Sequence, residues 1–354
     1  MTKTGERARV GVIGTGWWST FAHLPSLSTY DAAELIGVAD VDLSKAEQAT
    51  ARFNAGKAYG DHRALLDQRP DGVVIATPHH THYELARDAL LAGADIMIEK
   101  PMVVNPAHGR ELVAIAKQNG RNLHVGYPYP YTPHNRLLRE LIAAGELGTI
   151  LFATSLFMTS VLEFYRGQTA YAGEVDAGAM WGPGTDTYSD PDRGGGQMLT
   201  QVTHSASLLF HLTGLRPSEV AAFNDTYDTN VDVWDAISFR TKDGAAGTLA
   251  STGTIPRTQR VIEEYRIFGS NGHALVDTTK GTLAIHFNDG TSREETPLDS
   301  ADLYPLRQTS RQLVDTILGA SPVLVSGELG LLTVEFLAAA LDSARTGQVV
   351  RMPE

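Results

Sequence analysis

The first half of the chain alternates short apolar runs with stretches of helical period. Residues 10–13, 33–40, 72–77, 95–99 and 122–126 are largely apolar and bounded by turn residues, the pattern of strands buried on both faces. Between them, residues 43–53, 61–68, 83–92 and 106–119 read as helices, and Gly93 closes the third. Strands that alternate with helices predict parallel pairing through right-handed crossovers, with ligands bound beyond the carboxyl ends of the strands. The informative residues are therefore those after each strand: Gly14, Asp40, Thr77, Pro78, Lys100, Pro101 and Tyr127.

The pattern changes after about Gly148. Residues 150–158, 219–223, 235–241, 246–252, 264–269, 273–278 and 282–287 read as strands, several joined by turn signals such as Lys242-Asp243-Gly244 and Ser270-Asn271-Gly272. A run of strands predicts an open, mostly antiparallel sheet in an α+β domain. Helices interrupt it at 198–212 and 306–318. A final apolar helix, 327–346, is expected to dock back on the first domain.

The turn after the first strand adds chemistry to this outline. In Gly14-Thr15-Gly16-Trp17-Trp18-Ser19, Gly14 permits a tight turn and Gly16 lets backbone amides approach a pyrophosphate at a helix N-terminus. Ser19 stands where the fingerprint has its third small residue. Asp40 ends the next strand about twenty residues on, where an acid accepts hydrogen bonds from the adenosine ribose and repels a 2′-phosphate. Val41 and Asp42 offer that phosphate no positive charge, so NAD is expected rather than NADP. The competing explanation is that Asp40 merely caps the following helix, although Asp42 is the better placed cap. The chain is expected to divide into an α/β Rossmann domain, 1–127, and the α+β domain, 128–354.

Composition narrows the partners. Of 354 residues, 42% are hydrophobic and 20% charged, a balance that fits two globular domains. The formal net charge of −12 argues against nucleic acid as the main partner. There is no cysteine, which removes disulfides and thiolate chemistry. Residues 1–7 contain no apolar leader-like stretch and no run is long enough to span a bilayer, so a cytoplasmic location without membrane partners is the expectation.

Further residues carry candidate chemistry. Lys100, in Glu99-Lys100-Pro101 at the end of the fourth strand, is placed to hydrogen-bond a substrate hydroxyl and stabilise its alkoxide. Gly194-Gly195-Gly196 opens a helix on which Thr200 and His204, four residues apart, share a face, with Gln197 and Gln201 beside them. Histidine titrates near neutrality and suits a general base. His79, His80 and His82 invite a metal, yet they point in different directions and a strand-to-helix loop accounts for them; no metal is expected. Tyr127-Pro128-Tyr129-Pro130-Tyr131 is either a sugar-facing aromatic wall or a rigid linker.

Assembled, these residues resemble the Gfo/Idh/MocA family of glucose–fructose oxidoreductase and inositol dehydrogenase relatives. The matches are Gly14-x-Gly16 with Asp40, Thr77-Pro78 with His82, Ala92-Gly93, Glu99-Lys100-Pro101, Gly145-Glu146-Leu147-Gly148, the triple glycine with His204, and Ser343-Ala344-Arg345-Thr346-Gly347. The resemblance implies a Rossmann domain, an open-faced sheet domain for substrate and oligomer contacts, and hydride transfer at a sugar or cyclitol carbinol. It implies catalysis by Lys100 and His204, cofactor contacts at Gly14, Gly16, Trp17, Trp18, Asp40, Thr77, Pro78, His82, Glu99 and Lys100, and substrate contacts at Lys100, Tyr127, Tyr129, Thr200, Gln201 and His204. The family usually has an Asp four residues before the His; here that position is Thr200, so Thr200 or Gln201 is expected to meet a hydroxyl instead. The finer resemblance is to the branch that oxidises glycosides, commonly at C3 of the pyranose.

The expected function is NAD-dependent oxidation of a secondary hydroxyl of a sugar, glycoside or cyclitol by a homo-oligomer, dimer or tetramer, formed through the sheet domain. An alternative is glycoside cleavage by transient C3 oxidation, elimination and re-reduction. One of another class is a non-catalytic NAD-binding sensor.

Overall fold

Six parallel strands make the first sheet of the computed structural model: β1 (Ala8–Ile13), β2 (Ala33–Ala39), β3 (Lys57–Tyr59), β4 (Gly72–Ile75), β5 (Asp95–Ile98) and β6 (Leu123–Val125). Their spatial order is β3-β2-β1-β4-β5-β6, so the winding reverses between β1 and β4, where doubly wound sheets bind ligands. The structure describes residues 7–168 and 178–353; the N-terminal segment read above lies outside them up to Glu6. Strand β3 was not foreseen: three residues with only Tyr59 fully buried give no periodic signal.

Helices Leu43–Phe53, His62–Leu66, His82–Leu91 and Pro106–Gln118 fill the crossovers. Three start on side chains that accept from free backbone N–H groups: Asp42 from Ser44 and Lys45, Asp61 from Arg63, and Asn105 from Ala107. By contact, the chain forms two compact units. The first comprises Met1–Gly126, Gln168–Thr187 and Leu306–Leu331; the second comprises Tyr127–Gly167, Tyr188–Pro305 and Leu332–Glu354. Helix Gln308–Ile317 thus returns to the first unit, where Leu313 and Val314 join Val10, Val12, Leu27, Val74 and Met97 in one buried cluster.

The second sheet has nine strands: β7 (Ile150–Met158), β8 (Pro217–Asp225), β9 (Trp234–Thr241), β10 (Ala246–Thr252), β11 (Ile262–Gly269), β12 (Gly272–Asp277), β13 (Thr282–Phe287), β14 (Ser292–Glu294) and β15 (Val350–Arg351). They lie in the order β14-β13-β12-β11-β7-β10-β9-β8-β15, antiparallel throughout except for the β7–β10 pair. The short edge strands β14 and β15 and the helix Pro133–Ala143 were not anticipated.

Alternation turns Ile237, Phe239, Leu249 and Ile267 inward. Helix Thr203–Thr213, buried along almost its whole length, packs Phe210 edge-on against Phe239 and against Phe336 of helix Gly327–Thr346. Ser343 near the end of that last helix accepts from the Ala222 N–H on β8 and donates to the Gln348 carbonyl. Among the described residues no helix is long and apolar enough to cross a membrane.

Candidate active site

In the first unit the strand ends converge as the topology requires. Gly14 has φ +94°, and a Cβ there would lie 2.4 Å from the Ala76 carbonyl oxygen, so the turn out of β1 needs glycine to pass the end of β4. Gly16 differs. It is exposed, and among the described residues a Cβ would meet no atom within 4 Å. Packing against the described residues does not demand glycine at 16, and the missing side chain leaves the backbone open to a phosphate group. Ser19 is fully buried at the start of a π-helical turn, Ser19–His23, where its small side chain suits close packing.

Asp40 accepts from the Thr15 N–H (2.8 Å) and hydroxyl (2.6 Å) through Oδ2, and from the Asp42 N–H through Oδ1 (2.9 Å). It ties the glycine turn to the end of β2, while Asp42 caps the helix. Neighbouring Val41 is 99% exposed and uncharged. The exposed glycine and the acid fit an NAD-type dinucleotide.

Glu99, beyond β5, is the polar hub of the first unit. Its Oε1 accepts from the Trp18 indole N–H (3.0 Å) and lies 2.9 Å from His23 Nε2; Oε2 accepts from the Lys100 N–H (3.1 Å). Burial alone would raise this carboxyl, but the His23 hydrogen bond and the charges of His23 and Lys100 bring it below the usual carboxylate range. Gly126 leaves room for it, since a Cβ there would come within 2.6 Å of Glu99 Oε1. The Lys100 amine, half-buried, is lowered by desolvation, with Glu99 opposing. The Lys100-Pro101 peptide is cis.

Trp17 and Trp18 stand edge to face, half-buried, after the glycine turn. Thr77 is half-buried and Pro78 exposed. His82 is buried with Nδ1 2.9 Å from the Pro101 carbonyl and Nε2 3.0 Å from the Thr77 carbonyl, linking two strand-end loops. Desolvation lowers its pKa, with the hydrogen bonds to the Pro101 and Thr77 carbonyls opposing. Its ring nitrogens are thus used within the protein, and among the described residues no group of three or more His, Cys, Asp or Glu is arranged to hold a metal.

In the second unit, a π-helical turn, Met198–Val202, leads into the helix that carries His204. Such turns often occur at functional sites. His204 is 6% exposed. Tyr127, Tyr129 and Phe157 present rings to it at centroid distances of 6.1, 6.1 and 6.2 Å, all near-perpendicular. The Tyr127 hydroxyl lies 2.7 Å from the Thr203 hydroxyl.

The glycines before this helix serve the chain itself. A Cβ at Gly195 would strike the Tyr188 carbonyl oxygen at 2.4 Å, and one at Gly196 would strike Asp232 Oδ1 at 2.2 Å. The Thr200 hydroxyl donates to the Gly196 carbonyl (2.6 Å), with the Tyr165 hydroxyl 2.9 Å away. Tyr165 also donates to Gln197 Oε1 (2.7 Å), and Gln197 Nε2 donates to Ser251 (2.7 Å). Gln201 is half-buried.

Several groups escaped the sequence reading. Asp232 accepts from the Met198 N–H and Asp235 is 2% exposed; desolvation raises both carboxyls, and Asp232 adds to the rise at Asp235. Glu263 is fully buried and desolvation pushes its carboxyl up to about 7. The available signal was parity: Asp235 and Glu263 occupy inward positions of strands whose other inward residues are Ile237, Phe239, Tyr265, Ile267 and, at the strand end, Thr241.

Known proteins share the family and the fold of this chain. The GFO/IDH/MocA oxidoreductase family, NAD-binding Rossmann fold, matches residues 8–127, and the GFO/IDH/MocA C-terminal domain matches residues 135–275. The chain is 31% identical to D-glucoside 3-dehydrogenase of Escherichia coli over 153 residues, a match covering 43% of this chain and 44% of that enzyme. Trans-1,2-dihydrobenzene-1,2-diol dehydrogenase of Mus musculus is 25% identical over 97% of this chain and 96% of its own length. Among solved structures, GenD2 from gentamicin A biosynthesis, in complex with NAD, superposes with a TM-score of 0.79 at 25% identity over 99% of this chain and 97% of that one. With a matching NAD-binding domain and a matching C-terminal domain, the chain belongs to the GFO/IDH/MocA oxidoreductase family.

Proposed function

We propose that the protein oxidises a secondary hydroxyl of a sugar, glycoside or cyclitol with NAD as acceptor, C3 of a pyranose being the leading position. Lys100 carries this reading: a lysine at the carboxyl end of a Rossmann strand, its amine lowered by burial and its neighbour Glu99 fixed by Trp18 and His23. An ammonium so placed donates to a substrate oxygen and stabilises the negative charge that grows there. His204 takes the hydroxyl proton, and the rings of Tyr127 and Tyr129 beside it suit the C–H face of a pyranose. Gln201 and Thr200 complete the substrate contacts, the Thr200 hydroxyl only by exchanging its present partners. Asp40 and the Gly14–Gly16 turn hold the dinucleotide, with Trp17, Trp18, Thr77, Pro78, His82, Glu99 and Lys100 forming or supporting its walls. NAD, when bound, supplies the hydride acceptor. The choice of C3 draws on the likeness to D-glucoside 3-dehydrogenase.

Assembly as a dimer or tetramer through the second sheet belongs to the same proposal. It is supported by Phe152 and Phe268, paired across β7 and β11 and both exposed, and by exposed Phe223 and Trp234 on β8 and β9.

A panel of free sugars, methyl and aryl glucosides and inositols, incubated with NAD and scored for NADH and for released aglycone, tests the function. NADH formation with a pyranoside supports the proposal. Aglycone release without NADH would favour oxidation, elimination and re-reduction instead. Binding of NAD without turnover of any sugar would leave the sensor reading.

A further inference from the structure

Glu263 is a carboxyl with no exposed surface on β11, unused by the chemistry above. A buried carboxyl is costly unless its oxygens are hydrogen-bonded. Two hydroxyls donate to it, Tyr265 to Oε1 and Thr278 to Oε2 at 3.2 Å, and the Tyr129 hydroxyl interacts with the same carboxyl. Tyr129 is the residue of interest, because its other end faces His204. Its ring stands 6.1 Å from the imidazole at 81°, backed by Tyr304 at 5.0 Å. Across the ladder, the partner of Glu263 is Phe157, whose ring also stands edge-on to His204. One buried acid is therefore joined to two of the three rings around the imidazole, one by its hydroxyl and one by strand register. All of these residues belong to the second unit.

We infer that Glu263 is a positioning residue for His204, acting through Tyr129. The hydroxyl of Tyr129 is held at the carboxyl, so the ring cannot swing away, and the imidazole keeps one orientation against it. A catalytic base displaced by a fraction of an ångström loses rate out of proportion to the change. This inference rests on the reading of His204 as the base.

Two measurements on the full-length protein separate the inference from that reading. The first needs no substrate: the imidazole signals of ¹⁵N-histidine-labelled protein, with His204 assigned from His204→Ala. Glu263→Gln and Tyr129→Phe should each shift the His204 signals, and the double variant should match the single ones, while the signals of His62 and His124 in the first unit stay in place. Unmoved His204 signals in both single variants, or shifts that simply add in the double variant, would overturn the inference. Should Glu263→Gln fail to fold, as judged by circular dichroism, Tyr129→Phe decides alone, since it removes only the hydroxyl that reaches Glu263. The second measurement is turnover with methyl glucoside and NAD. Both single variants should lower kcat/KM by about tenfold, mainly in kcat; wild-type values in both would also overturn the inference. Full activity in His204→Ala would refute the base assignment while leaving the spectroscopic result standing.

Discussion

Asp40 braces Thr15 in the glycine turn, and under the proposed function the same carboxylate meets the ribose, beside exposed and uncharged Val41. NAD should therefore bind far more tightly than NADP, and Asp40→Ser with Val41→Arg should move the preference toward NADP, because arginine pairs with the 2′-phosphate. Titration with both cofactors checks this; equal affinity in the unaltered protein would contradict it. Glu263 offers a test at the same scale that reads stability. Its carboxyl is raised from 4.5 to about 7, so the folded protein keeps a proton that the unfolded chain releases. The contribution of Glu263 is fully present below the unfolded pKa and is lost as pH rises through the folded one. Between about pH 5 and pH 8 the wild type should lose up to roughly 3 kcal/mol of stability relative to Glu263→Gln. Urea unfolding of both proteins across that range measures it, and parallel curves would exclude it. Asp40 was legible because its place on a strand end is a motif position. Glu263 was not, because only knowledge that β11 is buried on one face makes its parity informative.

At the scale of elements, the glycine turn separates folding from binding. Gly14 lies at positive φ against the Ala76 carbonyl, whereas a Cβ at Gly16 would meet none of the described residues within 4 Å. Gly14→Ala should lower the melting temperature and the yield of folded protein. Gly16→Ala should fold normally and lose NAD affinity, because the added methyl stands where the backbone must meet a phosphate. Calorimetry of the folded variants with NAD distinguishes the two, and unchanged affinity in Gly16→Ala would remove the turn from the cofactor site. The strands and helices of the first sheet were readable from period alone, β3 excepted. The triple glycine was legible as a helix start, but not its cause: Gly195 and Gly196 are set by Tyr188 and Asp232, residues that nothing in the local sequence ties to them.

At the scale of the whole chain, helix Gln308–Ile317 lies in the span 128–354 expected for the second domain, yet its Leu313 and Val314 join the buried cluster of the first unit. Long-range choices of this kind depend on packing between distant segments and leave no local trace. The outer face of the second sheet, by contrast, follows from alternation: Phe152 and Phe268 are adjacent, apolar and exposed. Replacing both with lysine should shift the protein toward monomer in light scattering, and an unchanged mass would move the proposed interface elsewhere.

Under the proposed function, Lys100 polarises a sugar hydroxyl during hydride transfer to NAD. The most direct measurement is kcat/KM for NADH formation by Lys100→Met, set beside NAD affinity of the same variant. Intact NAD binding and a loss of at least ~10² in kcat/KM are expected, the scale of a donor removed from developing oxyanion charge. Activity within a few-fold of wild type would contradict it.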